Sequence, residues 1–212
     1  MTLRQALDRT LRLMWDELEA ATPADTLITA LTGTEVAIVA DAANLVTHSA
    51  QTAYVTAALL MARSGHRVHL LAPDVSLMGA QAPLPPGRMI AGLLAVGGDL
   101  LPGITFSDTM PAGTIDLVVT LGDTKTPLRG REMISLNAGD WYGSLLSPRN
   151  ATRWRAGEWP LGGMAAAAMA ATEAFKIAML KLDRHARNPA VMMEMSSPRR
   201  MSNSRLPQLA RR

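Results

Sequence analysis

The chain has 212 residues, of which 48% are hydrophobic and 18% are charged, so a long disordered protein is excluded and one domain, or at most two small ones, is expected. It contains no Cys, which excludes thiol nucleophiles, thiolate zinc sites, iron–sulfur clusters and disulfides. Residues 188–212 hold five Arg and one Glu and so carry a charge of +4, whereas the whole chain carries +3. Residues 1–187 therefore carry about −1, and the basic balance does not argue for nucleic-acid binding.

The N-terminal residues predict an amphipathic helix over 3–21. Apolar side chains recur at helical spacing on one side of this segment, and charged side chains occupy the other side. The apolar set is Leu3, Ala6, Leu7, Leu11, Met14, Trp15 and Leu18. The segment lacks the apolar core of a signal peptide, and no stretch of the chain reaches about 18 apolar residues without a charge. We therefore expect a soluble cytoplasmic protein with no membrane contact.

The next part of the chain has the pattern of a βαβ unit. Residues 35–40 are a continuous apolar run, typical of a strand that is buried on both faces. A helix rich in Ala and Leu is predicted over 50–63, ending before Gly65, and a second strand is predicted at 67–72. A unit of this kind almost always closes right-handed with parallel strands.

The alternation of strands and helices continues along the chain. The clearest further elements are a strand at 115–121 and a long Ala-rich helix at 162–182. Weaker patterns predict helices at 27–31 and 88–96 and strands at 104–106, 132–137 and 142–146. Together they predict an α/β fold, a Rossmann-like open sheet that is mostly parallel with helices on both faces. We assign residues 1–187 to this single domain, with its core at 35–182, and residues 188–212 to a basic, Met-rich tail or interface arm.

In such a fold the ligand cleft lies beyond the carboxyl ends of the strands, where the loop 41–49 follows the first strand. This loop has no Gly, so the usual grip of a glycine-rich turn on a pyrophosphate is not expected. Two interpretations stay open. The helix N-terminus and the hydroxyls of Thr47 and Ser49 can hold an anion, or these hydroxyls cap the helix while Asp41 hydrogen-bonds the turn. The candidate ligand contacts in the loop are Asp41, Asn44, Thr47, His48 and Ser49.

Two further aspartates follow predicted strands. Asp74 lies just past the strand 67–72, where an acidic side chain can accept hydrogen bonds from ribose hydroxyls. Asp123 directly follows the strand 115–121, where a carboxylate faces the cleft and can hold Mg²⁺ beside substrate phosphates. Both aspartates also suit ordinary turns, since Pro precedes one and Gly the other. We take Asp123 as the candidate catalytic and metal-binding residue.

Other chemistries find no support in residue spacing. The four His are scattered without the spacing of metal ligands or of a catalytic triad, so no zinc site is expected. Trp154 and Trp159 lie among Arg residues, but this short segment is more typical of a cover over the core edge or of a subunit interface than of a nucleic-acid platform. We expect no nucleic-acid partner.

The order of these elements resembles the ThiF/MoeB/HesA family of bacterial E1-like adenylyltransferases. The resemblance covers residues 35–181 and rests on the strand that ends in Gly-Asp123 and on the Gly-then-Ala-rich helix that runs from Pro160 to the Glu-x-x-Lys ending at Lys176. It implies a Rossmann-like ATP-binding domain, usually paired as a dimer, that adenylates the C-terminal carboxylate of a small ubiquitin-like or carrier protein. By position, Asp74 matches the ribose-contacting Asp of the family and Asp123 matches the Asp that supports Mg-ATP.

The chain departs from the family pattern at functional positions. Residues 41–49 replace the glycine-rich loop, residues 75–81 replace the Asn and Arg that follow the ribose Asp, and the zinc-binding and thioester Cys residues are absent. Adenylation itself needs no Cys. Loss of the glycine-rich loop and the Arg, however, removes charge stabilisation on which adenylyl transfer depends.

Three functions are therefore compared. The first is a divergent E1-like protein that binds ATP and Mg²⁺ and adenylates the C-terminus of a small ubiquitin-like or peptide-carrier protein. The second is a catalytically inactive ThiF-like scaffold that forms a homo- or heterodimer through the Ala-rich helix, the Trp segment and the N-terminal helix. The third, an oxidoreductase that binds NAD(P), ranks last because the chain has neither a glycine fingerprint nor a Tyr-x-x-x-Lys pair.

Overall fold

A computed structural model describes residues 2–17, 22–100, 102–104, 106–155 and 157–186 of the chain, the side chains of 183–186 excepted. The end of the predicted N-terminal helix, at 18–21, and the tail predicted at 188–212 lie outside these described residues. The helices are α1 (Leu3–Ala6), α2 (Asp8–Glu17), α3 (Ala24–Thr32), α4 (His48–Arg63), α5 (Met89–Leu100) and α6 (Leu161–Ala186). The strands are β1 (Glu35–Val39), β2 (Arg67–Leu71), β3 (Phe106–Ser107), β4 (Ile115–Leu121), β5 (Gly130–Ala138) and β6 (Gly143–Leu146).

The strands form one six-stranded sheet with the order β3-β2-β1-β4-β5-β6. Every neighbouring pair is parallel except β5 and β6, which are antiparallel. The α/β fold with a mostly parallel sheet is therefore confirmed. The chain leaves β1 toward β2 on one side and returns to β4 on the other, so the carboxyl ends of β1 and β4 flank the point where the strand order reverses. Ligands of open α/β sheets bind at this point.

The helices contribute their buried apolar side chains, Ala24 excepted, to one core on one face of the sheet. This core includes Leu11 of α2, Leu27 of α3, Tyr54 of α4, Leu93 of α5 and Ala170 of α6. On the other face a small cluster of strand residues packs with neighbouring strands and with Leu128, which lies in the β4–β5 connection. That connection is residues 122–129 and carries no helix. Although helices were expected on both faces, so short a crossover has room for an extended segment only.

The N-terminal amphipathic stripe packs against this core. The helix is interrupted at Leu7, so that α1 and α2 replace the single helix expected at 3–21. Leu7, Leu11 and Met14 are fully buried, and Leu7 lies against the turn at Gly65 after α4. These three members of the stripe therefore pack within the chain.

The long helix α6 is held to the start of the sheet by a partly buried ion pair. The Lys181 ammonium donates to Asp116 Oδ2 and to the Gly33 carbonyl, each at 2.6 Å. The backbone N of Glu35 also donates to Asp116 Oδ2, at 2.9 Å. Residues Leu161–Leu182 are long and apolar enough to cross a membrane by length and composition alone. The helix packs on α4 and on the sheet, as the core helix of a soluble domain does. A cytoplasmic location stays a prediction.

Acid should destabilise the fold through His66, which is fully buried at the end of α4. Its Nδ1 lies 3.1 Å from the Leu31 carbonyl, so Nδ1 carries the proton, while Nε2 is buried with no hydrogen-bond partner in the described part of the chain. Burial lowers the pKa of His66 from 6.5 to about 4. Because the unfolded chain binds this proton more readily, stability should be full above pH 6.5 and should fall toward pH 4 by up to about 3 kcal/mol.

Urea unfolding between pH 4 and pH 7 measures this slope. His66→Gln should flatten it over that range, whereas His69→Gln, a control on the neighbouring strand, should retain it. An unchanged slope in His66→Gln would assign the acid sensitivity to other groups.

Candidate functional site

Three of the predicted site residues meet where the strand order reverses. Asn44 Nδ2 lies 3.1 Å from Asp41 Oδ1 and 3.0 Å from Asp123 Oδ1, so one amide joins the loop after β1 to the loop after β4. The two Oδ1 atoms are therefore no farther apart than the sum of these two distances. Asn44 is buried, whereas both aspartates are partly exposed. The structure therefore brings Asp41 and Asp123 together around a buried amide.

Local backbone structure positions these side chains. Asp41 Oδ1 accepts from Asn44 N at 2.8 Å and so caps the short 3₁₀ turn Ala42–Asn44. Thr124 Oγ1 donates to the Leu121 carbonyl at 2.6 Å and accepts from Asp41 N at 3.2 Å. Gly122 has φ +58°, and a Cβ at this position would collide with the Asn44 side chain. The turn after β4 thus requires glycine in order to receive the amide.

Trp154 covers the cluster and contacts both Asn44 and the start of α4. Its backbone N donates to Asn44 Oδ1 at 2.7 Å, which fixes the orientation of the amide, and its indole Nε1 donates to Ser49 Oγ at 3.3 Å. Only 8% of Trp154 is exposed. The interpretation of this residue as a cover over the core edge agrees with its burial. Its contacts with Asn44 and Ser49 were not expected, because no local pattern links residues more than 100 positions apart.

The first turn of α4 is capped by its own side chains. Thr47 Oγ1 accepts from Ala50 N at 3.2 Å and lies 3.2 Å from Ser49 Oγ. The helix begins at His48, two residues before its predicted start, and the His48 ring lies 3.3 Å from the Ala80 carbonyl. Of the two interpretations of this loop, the structure contains the capping arrangement.

Asp74 is engaged elsewhere. Its Oδ1 accepts from Ile90 N at 2.7 Å and from Ala91 N at 3.3 Å, and its Oδ2 accepts from Arg88 Nε at 3.0 Å. The carboxylate therefore caps α5 and pairs with Arg88. Both oxygens that could accept from a ribose already have donors within the chain.

The crevice offers two carboxylate oxygens without hydrogen-bond donors but no cradle for a nucleotide. The Oδ2 atoms of Asp41 and Asp123 accept no hydrogen bond from the described residues, and carboxylate oxygens are ligands of Mg²⁺. Among the described residues, however, no group of three or more His, Asp or Glu side chains could hold a metal ion. The loop 41–49, which would have to cradle the phosphates, contains no glycine, and its Thr47 hydroxyl is engaged in capping α4. The residues present therefore do not fit a triphosphate.

Comparison with known proteins adds one finding. The family model described as the BilD N-terminal domain matches residues 35–195, which is most of the chain. The match begins at β1 and includes Asp41, Asn44, Asp123 and Trp154. No curated protein matches the chain.

Removing the Asn44 amide should destabilise the protein. Asn44→Ala leaves Trp154 N without its acceptor and two carboxylates close together without their shared donor, a loss of about 2–4 kcal/mol. Urea unfolding measures the difference. Asn150→Ala, at an exposed position, is the matched control and should change stability by less than about 0.5 kcal/mol. A loss that small in Asn44→Ala as well would contradict the assigned role of the amide.

Proposed function

The chain belongs to the BilD N-terminal domain family, and we propose that it acts there as a noncatalytic, ThiF-like binding subunit. In this proposal the protein keeps the E1-like fold and works through its outer surface, in an assembly that handles a small ubiquitin-like or peptide-carrier protein. The observation that carries the proposal is the closure of the ligand crevice by Asn44 and Trp154. Fold-level likeness alone does not assign an activity, so the argument rests on these side chains.

The crevice is closed by groups that would have to move before a nucleotide could enter. The Trp154 indole lies on Ser49 at the start of α4, where a Rossmann fold receives a pyrophosphate. Both polar atoms of the Asn44 amide are already hydrogen-bonded within the chain, Nδ2 to Asp123 and Oδ1 to Trp154 N. Breaking these buried contacts would leave several donors and acceptors without partners. Each unpaired buried group reduces the stability by about 1–3 kcal/mol.

The other groups expected to hold ATP also have partners. Asp74 is bound to α5 and Arg88, and Thr47 caps α4. No Arg follows Asp74 in the register of the E1-like pattern, and an adenylyl transfer without such a cation lacks a main source of charge stabilisation. These contacts favour a binding role over adenylation, and equally over the NAD(P) alternative, which needs the same crevice.

A second candidate is favoured by one observation, the pair of free Oδ2 oxygens on Asp41 and Asp123. In this candidate the two carboxylates hold Mg²⁺, and the protein binds ATP and adenylates the C-terminus of a carrier protein. Asp123 would then be the catalytic and metal-binding residue. This candidate requires the Trp154 cover to move away from α4.

Mg-ATP should leave the thermal midpoint of the protein unchanged to within about 1 °C, because a ligand that does not bind the folded state cannot stabilise it. Differential scanning fluorimetry with Mg-ATP, and separately with NAD⁺, tests this expectation. A ligand at 100 times its Kd would contribute about 2.7 kcal/mol and raise the midpoint by several degrees.

A raised midpoint would overturn the proposal, and two variants then locate the site. If the second candidate is correct, Mg-ATP no longer raises the thermal midpoint of Asp123→Asn. The control Asp25→Asn, which removes an acidic side chain from α3, keeps the rise. ATP–pyrophosphate exchange that depends on an added carrier protein would establish adenylation itself.

A further inference from the structure

Exposed apolar side chains gather where the turn between β5 and β6 meets the start of α6. We call Trp141, Tyr142, Trp159, Leu161 and Met164 the aromatic patch. Trp141 is 74% exposed and Trp159 is 53% exposed. Large aromatic side chains in a single domain are usually buried, because each can remove about 150–250 Å² from water. An exposed group of this kind is typical of a surface that binds another segment of protein.

Two segments of the chain are bound together beneath the patch. Gly162 N donates to the Asp140 carbonyl at 3.0 Å, and Trp159 N donates to Asp140 Oδ1 at 3.2 Å. The ring centroids of Trp141 and Trp159 lie 6.1 Å apart. The aromatic rings therefore belong to one continuous surface.

The exposed side of α6 extends this surface toward the other end of the helix. Met169 is exposed next to the patch, and Leu180 is 51% exposed near the end of α6. Thr172 and Lys176, which are also exposed, lie between them. At about 100° per residue, all four positions fall on one side of the helix. An exposed path, apolar at both ends, thus runs from the patch to the point where the chain leaves α6.

The tail at 188–212 is long enough to return along this path. Met164 lies about 33 Å from the end of α6, because the helix rises about 1.5 Å per residue. An extended chain advances about 3.3 Å per residue, so about ten residues beyond Ala186 bring the tail level with Met164. Arg199 and Arg200 are then the first basic residues of the tail that can reach the aromatic rings.

The order of residue types in the tail matches the order along the path. Residues 191–195 are apolar except for Glu194 and come first after α6, where Leu180 offers an apolar contact. The two arginines come next, level with the patch. An Arg guanidinium stacks favourably on the face of a Trp ring, and the carboxylate of Glu158 is exposed beside Trp159.

We propose that the tail at 188–212 folds back along α6 and covers the aromatic patch with Arg199 and Arg200. The family match extends past the end of α6 to residue 195, so the first part of the tail belongs to the same domain. The tail carries +4 and the rest of the chain about −1, and this difference in charge favours the contact. The inference rests on the proposed function, since the tail occupies a surface of the binding subunit until a partner displaces it.

Disulfide trapping in the full-length protein tests the proposal, because the wild type contains no Cys. Met201→Cys is combined with Glu158→Cys, beside the patch. In the matched control it is combined with Asp108→Cys, which follows β3 at the opposite edge of the sheet. Both acidic positions are exposed. Under mild oxidation the first pair should form an intramolecular disulfide roughly tenfold faster than the control pair, because docking raises the effective concentration of the two thiols.

Charge reversal in the tail is a second measurement. Arg199→Glu combined with Arg200→Glu should release the tail and raise the acrylamide quenching of Trp fluorescence, since two of the four Trp residues lie in the patch. Arg211→Glu combined with Arg212→Glu makes the same change of charge at the far end of the tail and should leave the quenching at its wild-type value. Circular dichroism and the thermal midpoint show whether each variant is folded.

Equal oxidation rates for the two Cys pairs, or a disulfide that joins two chains, would overturn the inference. Quenching that both charge reversals raise equally, or that neither raises, would also overturn it. Both measurements are made without nucleotide, so their failure is separate from failure of the proposed function, which the Mg-ATP experiment measures. A docked tail in a protein that also binds Mg-ATP would retain this contact while overturning the noncatalytic role.

Discussion

One buried amide organises the carboxyl end of the sheet. Its side chain, from Asn44, donates to Asp41 in the loop after β1 and to Asp123 in the loop after β4. The same side chain accepts a hydrogen bond from the backbone N of Trp154. An amide supplies donors and an acceptor at once, which neither a carboxylate nor a hydroxyl of similar size can do with the same geometry. The cluster occupies the place where this class of fold receives its ligand.

Because the Asn44 cluster fills the usual ligand crevice, the proposed binding role depends on the outer surface of the domain. Trp154 and Asn44 fill the crevice, while several exposed apolar side chains lie around β6 and the start of α6. The short β4–β5 crossover carries no helix, so the described helices pack together on the other face of the sheet. These features favour the binding role proposed above over a nucleotide-dependent reaction.

Much of the secondary structure could be predicted from local patterns. The strand predicted at 115–121 has its observed bounds, because apolar and β-branched residues dominate it and Gly122 follows directly. Asp41 and Asp123 could be placed at the same edge because parallel strands end together. The capping role of Asp74 could not be predicted, since its partners Arg88, Ile90 and Ala91 lie 14 to 17 residues away across a loop without a regular pattern.

The sequence by itself determined the fold class, the order of most elements and the absence of a glycine-rich phosphate loop, because these depend on periodicity and on residue types close together in the chain. Only the tertiary structure decided which polar groups remain free. Trp154 reaches Ser49 and Asn44 from more than 100 residues away, and His66 is left neutral by burial under α3. Pairing of buried polar groups is a property of three-dimensional packing, so a candidate ligand contact in the sequence can become a structural contact in the fold.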